Sequence, residues 1–274
     1  MNEYCIKFNC GIGDILHTKA ALDNAKDKFS IIKIAPNLSL IDEYRGGDKH
    51  YKKFIFELYN LLFREYPYVY EEPENLPAKN LRQIRDDGII LVKPNLVNYL
   101  VTSDFVREDY SYITISTKVR GLNVHDYINN YMSLFLEILL NLQEKYDIII
   151  IGEKEIGFNR EYSFHTDHIF SIYDSLINKL VRYTDFTIEE LGNTSPSLSK
   201  IKTDCNLMNK AKMNICLGIG GNFSLASSVG KLLNFRAEKA DDVDFVSEIY
   251  KNEKDDDVFS TSNFDLFLQK LEDI

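Results

Sequence analysis

Several residue types are scarce in this chain, and their scarcity excludes some classes of protein. The 274 residues include no tryptophan, six prolines and four cysteines. The cysteines form no CxxC pair and have no histidine at zinc-ligand spacing, which excludes the common zinc-finger patterns. Cys5 and Cys216 lie in apolar runs that are typical of strands, so we expect reduced thiols in the core.

Long apolar runs and an excess of basic charge are also missing. No run approaches membrane-spanning length, and the first residues, Met-Asn-Glu, do not start a basic and apolar signal region. The formal net charge of −10 disfavours a nucleic-acid binder. A hydrophobic fraction of 45% and a charged fraction of 27% are ordinary for a globular protein. We therefore expect a cytoplasmic protein with no nucleic-acid partner and no transmembrane segment.

Strand-like and helix-like segments alternate along the chain, which predicts an α/β fold with parallel sheets. The predicted strands are 4–8, 31–35, 88–92, 112–116, 147–153, 168–172 and 213–217. The predicted helices after the one that opens near residue 14 are 48–66, 126–145, 175–183, 197–211 and 223–230. A polar linker from Thr102 to Asp109 would separate an N-terminal Rossmann-like domain, residues 1–103, from a C-terminal one, residues 110–274.

A glycine-rich turn joins the first strand to the first helix. Gly11 and Gly13 allow a ligand to approach the backbone, and the helix N-terminus offers N–H groups and the positive end of its dipole. Asp14, in the first turn, is expected to face a cleft above the strand ends. The alternative is that Asp14 is an ordinary N-terminal helix carboxylate. His17, one turn further, lines the same pocket or packs against the second half.

A second strand, glycine turn and helix follow each other over residues 213–230. Gly218, Gly220, Gly221 and Asn222 would hold an anionic ligand through their backbone N–H groups and the helix dipole. The alternative is a turn whose glycines serve only the close packing of a helix on a strand.

Charged and hydroxyl side chains are expected at the same sheet edge. Lys118 and Arg120 follow the strand 112–116 in a predicted loop and suit a diphosphate, unless they are solvated surface cations. Glu153, after the longest strand, is placed to accept hydrogen bonds from a ribose. Thr194 lies in a turn where its hydroxyl contacts a base or phosphate or caps the next helix. We find no Asp-x-Asp site near a strand end and expect no metal.

Residues 11–18 (GIGDILHT), followed by 20–22 (AAL), resemble the N-terminal signature of the bacterial heptosyltransferases of glycosyltransferase family 9. The resemblance implies the GT-B architecture, in which two Rossmann-like domains face each other across a cleft. It also implies that Asp14 is the general base that deprotonates the acceptor hydroxyl, with Gly13 and His17 on the acceptor side.

The second glycine turn is similar to the donor-binding turn of the same family but departs from it. Residues 225–231 (LASSVGK) keep the Leu-Ala and Gly-Lys frame, and Gly221 is kept. The family has Asp, Ser and His where this chain has Ile219, Gly220 and Ser224. The resemblance still assigns Ser224 and the turn to donor binding, with the phosphates held mainly by backbone N–H groups.

Taken together, the resemblance implies an inverting, metal-independent glycosyltransferase without a cofactor. Its substrates would be a nucleotide-diphosphate sugar and a hydroxyl of a glycan or glycolipid, with peripheral membrane association left open. The diverged turn also allows a catalytically silent GT-B relic that binds a sugar or nucleotide or serves as a scaffold. A third reading is another sugar-nucleotide enzyme on the same fold, such as an epimerase.

Overall fold

The N-terminal part of the chain forms a small parallel sheet in the order β2-β1-β3. Its strands are β1 (Glu3–Phe8), β2 (Ile31–Pro36) and β3 (Ala78–Lys79). Every second residue of β1 is buried, as the alternating sequence predicts. The computed structural model describes residues 3–39, 49–66, 76–102, 111–154, 169–180, 185–189, 197–236 and 257–274.

Four helices accompany this sheet within the described ranges. They are α1 (Ile12–Ala25), α2 (Lys49–Leu62), α3 (Leu81–Asp86) and α4 (Val97–Leu100). Helix α1 begins directly after β1, and α2 packs its aromatic and aliphatic face into the core. The Tyr59 hydroxyl donates to the Ile34 carbonyl at 2.8 Å and so fixes α2 against β2.

A second, larger sheet contains seven strands, six of them parallel in the order β10-β9-β8-β4-β5-β7. The short strand β6 pairs with the end of β4 in the antiparallel direction. The strands are β4 (Tyr112–Arg120), β5 (Asp147–Glu153), β6 (Ile169–Ser171), β7 (Asp185–Glu189), β8 (Asn214–Leu217), β9 (Leu232–Phe235) and β10 (Val258–Thr261).

Helices cover both faces of this sheet. They are α5 (Leu122–Asn130), α6 (Met132–Leu142), α7 (Tyr173–Ile177), α8 (Leu198–Lys210), α9 (Gly221–Val229) and α10 (Phe264–Glu272). Side chains of strand β5 are buried on both faces of the sheet. Ile149 and Ile151 belong to one hydrophobic cluster, and Ile148 and Ile150 belong to another. This confirms β5 as a parallel strand that is covered on both faces.

The chain reverses its strand order at one point in each sheet. In the large sheet, β5 and β7 lie on one side of β4, whereas β8, β9 and β10 lie on the other. In the small sheet, β2 and β3 lie on opposite sides of β1. The carboxyl ends of strands at such a reversal border a crevice in which open α/β proteins bind ligands.

The two sheets share one hydrophobic cluster. It joins Phe8 and Leu16 to Phe223 and Leu225, which lie on α9. Hydrogen bonds also connect the two parts, because the Leu96 N–H donates to the Ser228 carbonyl at 3.2 Å. The facing edges of the sheets are therefore held together by a continuous core.

The structure confirms the α/β class and parallel sheets but corrects several elements. The predicted strand 88–92 is wrong, since these residues pair with no strand and Ile90 is 62% exposed. The predicted helix 126–145 is two helices that meet at Tyr131. Tyr131 and Leu134, at the start of the second of these helices, are 45% and 42% exposed.

The predicted linker lies outside the described residues apart from Thr102. The Thr102 N–H donates to the Asn206 side-chain oxygen at 2.8 Å and so attaches this point of the chain to α8. The boundaries 1–103 and 110–274 stay a prediction. In the part of the chain that the structure describes, no helix is both long enough and apolar enough to cross a membrane.

The buried amide of Asn214 stabilises the start of β8. It donates to the carbonyls of Met208 and Lys231 at 3.0 and 2.7 Å, and it accepts from the Thr114 hydroxyl at 2.6 Å. We predict that Asn214→Ala lowers the free energy of unfolding by about 3 kcal/mol, because the buried Thr114 hydroxyl and the Met208 carbonyl lose this partner, whereas the Lys231 carbonyl keeps the backbone N–H of residue 214. Urea unfolding measures it.

Asn129→Ala is the matched control for this prediction, since Asn129 is an exposed residue of α5. It should change the free energy of unfolding by less than about 0.5 kcal/mol. Equal stability of the Asn214 variant and the wild type would contradict the role of this amide.

Candidate functional site

The first turn places Asp14 at the carboxyl edge of the small sheet. Gly11 is the N-cap residue of α1, and the Ile15 N–H donates to its carbonyl at 3.0 Å. The Tyr51 hydroxyl donates to the Cys10 carbonyl at 2.8 Å and anchors the turn to α2. Asp14 is half-buried. If Gly11 carried a Cβ atom, that atom would lie 2.7 Å from the Asp14 Oδ2. The carboxylate therefore lies over the start of its own helix.

The second turn, residues 218–220, joins β8 to α9. Gly218 has φ +97°, a conformation that a side chain disfavours, and a Cβ there would collide with the Arg120 carbonyl. Its N–H donates to the Phe235 carbonyl at 2.6 Å. The turn therefore lies in contact with the ends of β4 and β9, and position 218 has room only for glycine.

The two turns, about two hundred residues apart in sequence, meet in the structure. A Cβ at Gly13 would lie 2.9 Å from the Ser224 hydroxyl oxygen, and one at Gly221 would lie 3.6 Å from the Ile12 Cβ. The first turns of α1 and α9 are therefore in direct contact. Their positive dipole ends point towards one region.

Lys118 and Arg120 are strand residues, which corrects the predicted loop. Strand β4 continues to Arg120 because β6 pairs with its last three residues. The Arg120 side chain lies along the second turn, with its Cδ 3.6 Å and its Nη1 3.9 Å from a Cβ built on Gly220. The two cations thus reach the predicted edge of the sheet on an extended, paired strand.

A small cleft of about 230 Å³ opens where these elements converge. Its walls combine the two cations of β4, the second turn and the first turn of α9. The lining residues are Ser116, Lys118, Arg120, Cys216, Leu217, Gly218, Gly220, Gly221, Asn222 and Phe223. Six of the residues that the sequence assigned to donor binding are therefore brought together.

Asn222 connects α9 to the central strand of the large sheet. Its side-chain amide donates to the Ser116 hydroxyl at 2.8 Å. Sequence reasoning missed Ser116, although the polar residues alternate along β4 from Thr114 to Arg120. That alternation marks one face of a strand and was the available signal.

Ser224 and His17 are not among the lining residues of the cleft. Ser224 is buried against Gly13, and its carbonyl accepts from the hydroxyls of Ser227 and Ser228. His17 is 2% exposed, and burial lowers the pKa of its imidazole to about 4, so the ring is neutral at pH 7.

Two predicted residues have no described side-chain geometry. Glu153 is the last residue of β5, but its side chain is outside the described part of the structure. Thr194 lies in the segment 191–196, which is also outside the described residues. Over the described ranges, no three His, Cys, Asp or Glu side chains are grouped in a way that could hold a metal ion.

In sequence searches, no protein-family model and no curated protein matches the chain significantly. Among similar solved structures is the iron-containing dodecameric glycosyltransferase TibC from enterotoxigenic Escherichia coli H10407. It shares 13% identity at a TM-score of 0.49, over 86% of this chain and 58% of TibC. The chain thus spans less than two thirds of TibC.

Two further solved structures are heptosyltransferases with nucleotide sugars. TibC in complex with ADP-D-β-D-heptose gives a TM-score of 0.47 at 13% identity, over 86% of this chain and 59% of that one. E. coli heptosyltransferase WaaC with ADP-2-deoxy-2-fluoro heptose gives a TM-score of 0.44 at 8% identity. The alignment covers 93% of this chain and 92% of WaaC.

We predict that Gly218→Ala destabilises the protein and disrupts the second turn, because the added methyl meets the Arg120 backbone. Gly88→Ala is the matched control, since Gly88 also has positive φ (+81°) but has open space around it. Thermal unfolding should show about 1 kcal/mol of loss for Gly88→Ala and at least about 3 kcal/mol for Gly218→Ala. Equal losses would show that Arg120 does not crowd this turn.

The buried imidazole of His17 predicts a pH dependence of stability. Its folded pKa of about 4 lies below the unfolded value of 6.5, so its stabilisation is complete above pH 6.5 and is lost as pH falls towards 4. Relative to His17→Gln, the wild type should lose about 3 kcal/mol between pH 7.5 and pH 4. Urea unfolding across this range measures the difference, and parallel curves would contradict a neutral buried ring.

Proposed function

We propose that the chain is an inverting, metal-independent glycosyltransferase of GT-B type. It moves a sugar from a nucleotide-diphosphate sugar to a hydroxyl of a glycan or glycolipid acceptor in the cytoplasm. The observation that carries the proposal is the meeting of the two glycine turns at facing sheet edges beside Lys118 and Arg120. One turn carries a carboxylate, and the other offers N–H groups beside the two cations of β4.

The donor diphosphate would bind in the cleft of the large sheet. The first N–H groups of α9 have no intrahelical partner and lie beside the two cations of β4. This arrangement suits a group with two phosphates, whose charge grows as the sugar leaves. Lys118 and Arg120 would stabilise that charge, which is the task that a metal ion performs in other transferases.

Asp14 would act on the acceptor. In the proposed step its carboxylate takes the proton of the acceptor hydroxyl, and the oxygen forms a bond to the anomeric carbon. The bond from that carbon to the diphosphate breaks on the opposite side, which inverts the configuration, and the nucleoside diphosphate leaves with the electron pair. Neutral His17, one turn along α1, adds no charge beside the base.

A second candidate function is binding without catalysis. The space of about 230 Å³ at the cleft includes open solvent, so the enclosed room is small for a whole sugar nucleotide. The family's histidine is replaced by Ser224, which is buried against Gly13. A protein that holds only the phosphates of a sugar nucleotide would fit both observations.

The donor and the base can be tested in one series. Thermal shift with UDP-, GDP-, ADP- and CMP-sugars identifies the nucleotide, because a ligand that binds only the folded state raises the unfolding temperature. Asp14→Asn should then bind the same donor as the wild type, while sugar transfer falls about 10²- to 10⁴-fold. Asp27→Asn, an exposed carboxylate just after α1, should leave both unchanged.

The outcomes separate the two candidates. Donor binding with transfer that depends on Asp14 supports the transferase, whereas binding without transfer supports the second candidate. Unchanged turnover of Asp14→Asn would remove Asp14 from the mechanism. The absence of a shift with every nucleotide sugar would overturn both.

A further inference from the structure

Arg236 lies at the same sheet edge as the cleft, one strand beyond it. It directly follows β9, and its N–H donates to the Thr261 carbonyl at 3.0 Å, which continues the pairing of β9 with β10. Its neighbour Phe235 accepts from the Gly218 N–H in the second turn. The backbone of Arg236 is therefore fixed next to the turn and in extended form.

Arg236 also lies on the same face of the sheet as the cleft. Phe235 packs in the hydrophobic cluster on the opposite face, and so does Val119 on β4. Because side chains alternate along a strand, Arg236 and Arg120 share the face that carries α9. Asn234, two residues before Arg236, supports this assignment, since its side-chain amide lies 2.9 Å from the Gly218 carbonyl beneath the turn.

The two arginines flank the second turn from its neighbouring strands. Strand β8, which ends in the turn, lies between β4 and β9. Adjacent strands are about 4.8 Å apart, so the two arginine backbones are roughly 10 Å apart across the turn. The Nε of Arg236 is shielded from solvent. Two long side chains at this separation can hold the two phosphoryl groups of one ligand.

We propose that Arg236 is a third cationic residue of the anion site, which binds the phosphoryl group on the β9 side of the turn. The inference rests on the proposed function and adds a residue to it. A guanidinium binds phosphate through two parallel hydrogen bonds, so Arg120 and Arg236 would each hold one phosphoryl group of a diphosphate. A binding role also explains a positive charge at this edge in a chain with net charge −10.

Inorganic pyrophosphate is the probe for this site, because it carries both phosphates and no base or sugar. Isothermal titration calorimetry with the full chain compares the wild type with Arg236→Gln and Arg236→Lys. The Kd for pyrophosphate should rise about tenfold for Arg236→Gln and less for Arg236→Lys, which keeps the charge but loses the paired hydrogen bonds. The dependence of affinity on salt should also weaken in Arg236→Gln.

Lys210→Gln is the charge-matched control. Lys210 is exposed in the last turn of α8, at the opposite edge of the large sheet, and its variant should bind pyrophosphate like the wild type. Thermal unfolding of each variant separates a binding defect from loss of structure. If Arg236→Gln does not fold, the folded Arg236→Lys variant decides, and wild-type affinity in it overturns the inference.

The proposed function and this inference fail in different ways. Wild-type affinity in Arg236→Gln, together with weaker binding in Arg120→Gln, overturns the role of Arg236 and leaves the anion site in place. A wild-type protein that binds neither pyrophosphate nor any nucleotide sugar overturns both.

Discussion

The contact between the first turns of α1 and α9 is the constraint on which the rest of the site depends. A Cβ at Gly13 would lie 2.9 Å from the Ser224 hydroxyl oxygen, so any side chain at Gly13 would require Ser224 to shift. The contact brings together two helix N-termini from two sheets, and the shared core around Phe223 holds them there. Ser224 is buried at this contact, with its hydroxyl oxygen facing Gly13.

The sequence was sufficient for most of the elements around the site. The runs 147–153 and 213–217 predict parallel strands correctly. Short apolar runs that are bounded by turn residues are typical of strands that are covered on both faces of a parallel sheet. The run 88–92 (GIILV) is also apolar but forms no strand, and Ile90 within it is 62% exposed. The short strands β9 (LLNF) and β10 (VFST) were not predicted, because four residues, of which only two or three are apolar, carry too little signal without knowledge of their partners.

The site was only partly predictable for a related reason. Lys118, Arg120 and the second turn could be assigned to one edge because parallel strands end together. Ser116 was missed although the alternation of polar residues along β4 signals it, and Arg236 could not be assigned because its place depends on β9, a strand that the sequence did not predict. The close contact of Gly13 with Ser224 links residues that no local pattern connects.

The central claim is that the two turns form one site for a sugar nucleotide. A crystal structure of the wild-type protein with the nucleoside diphosphate selected by thermal shift tests it most directly. The account predicts that the diphosphate lies against residues 218–222 and contacts Lys118 and Arg120, with its terminal phosphate facing the α1 turn that carries Asp14. A diphosphate bound away from this cleft, or turned from Asp14, would contradict the account.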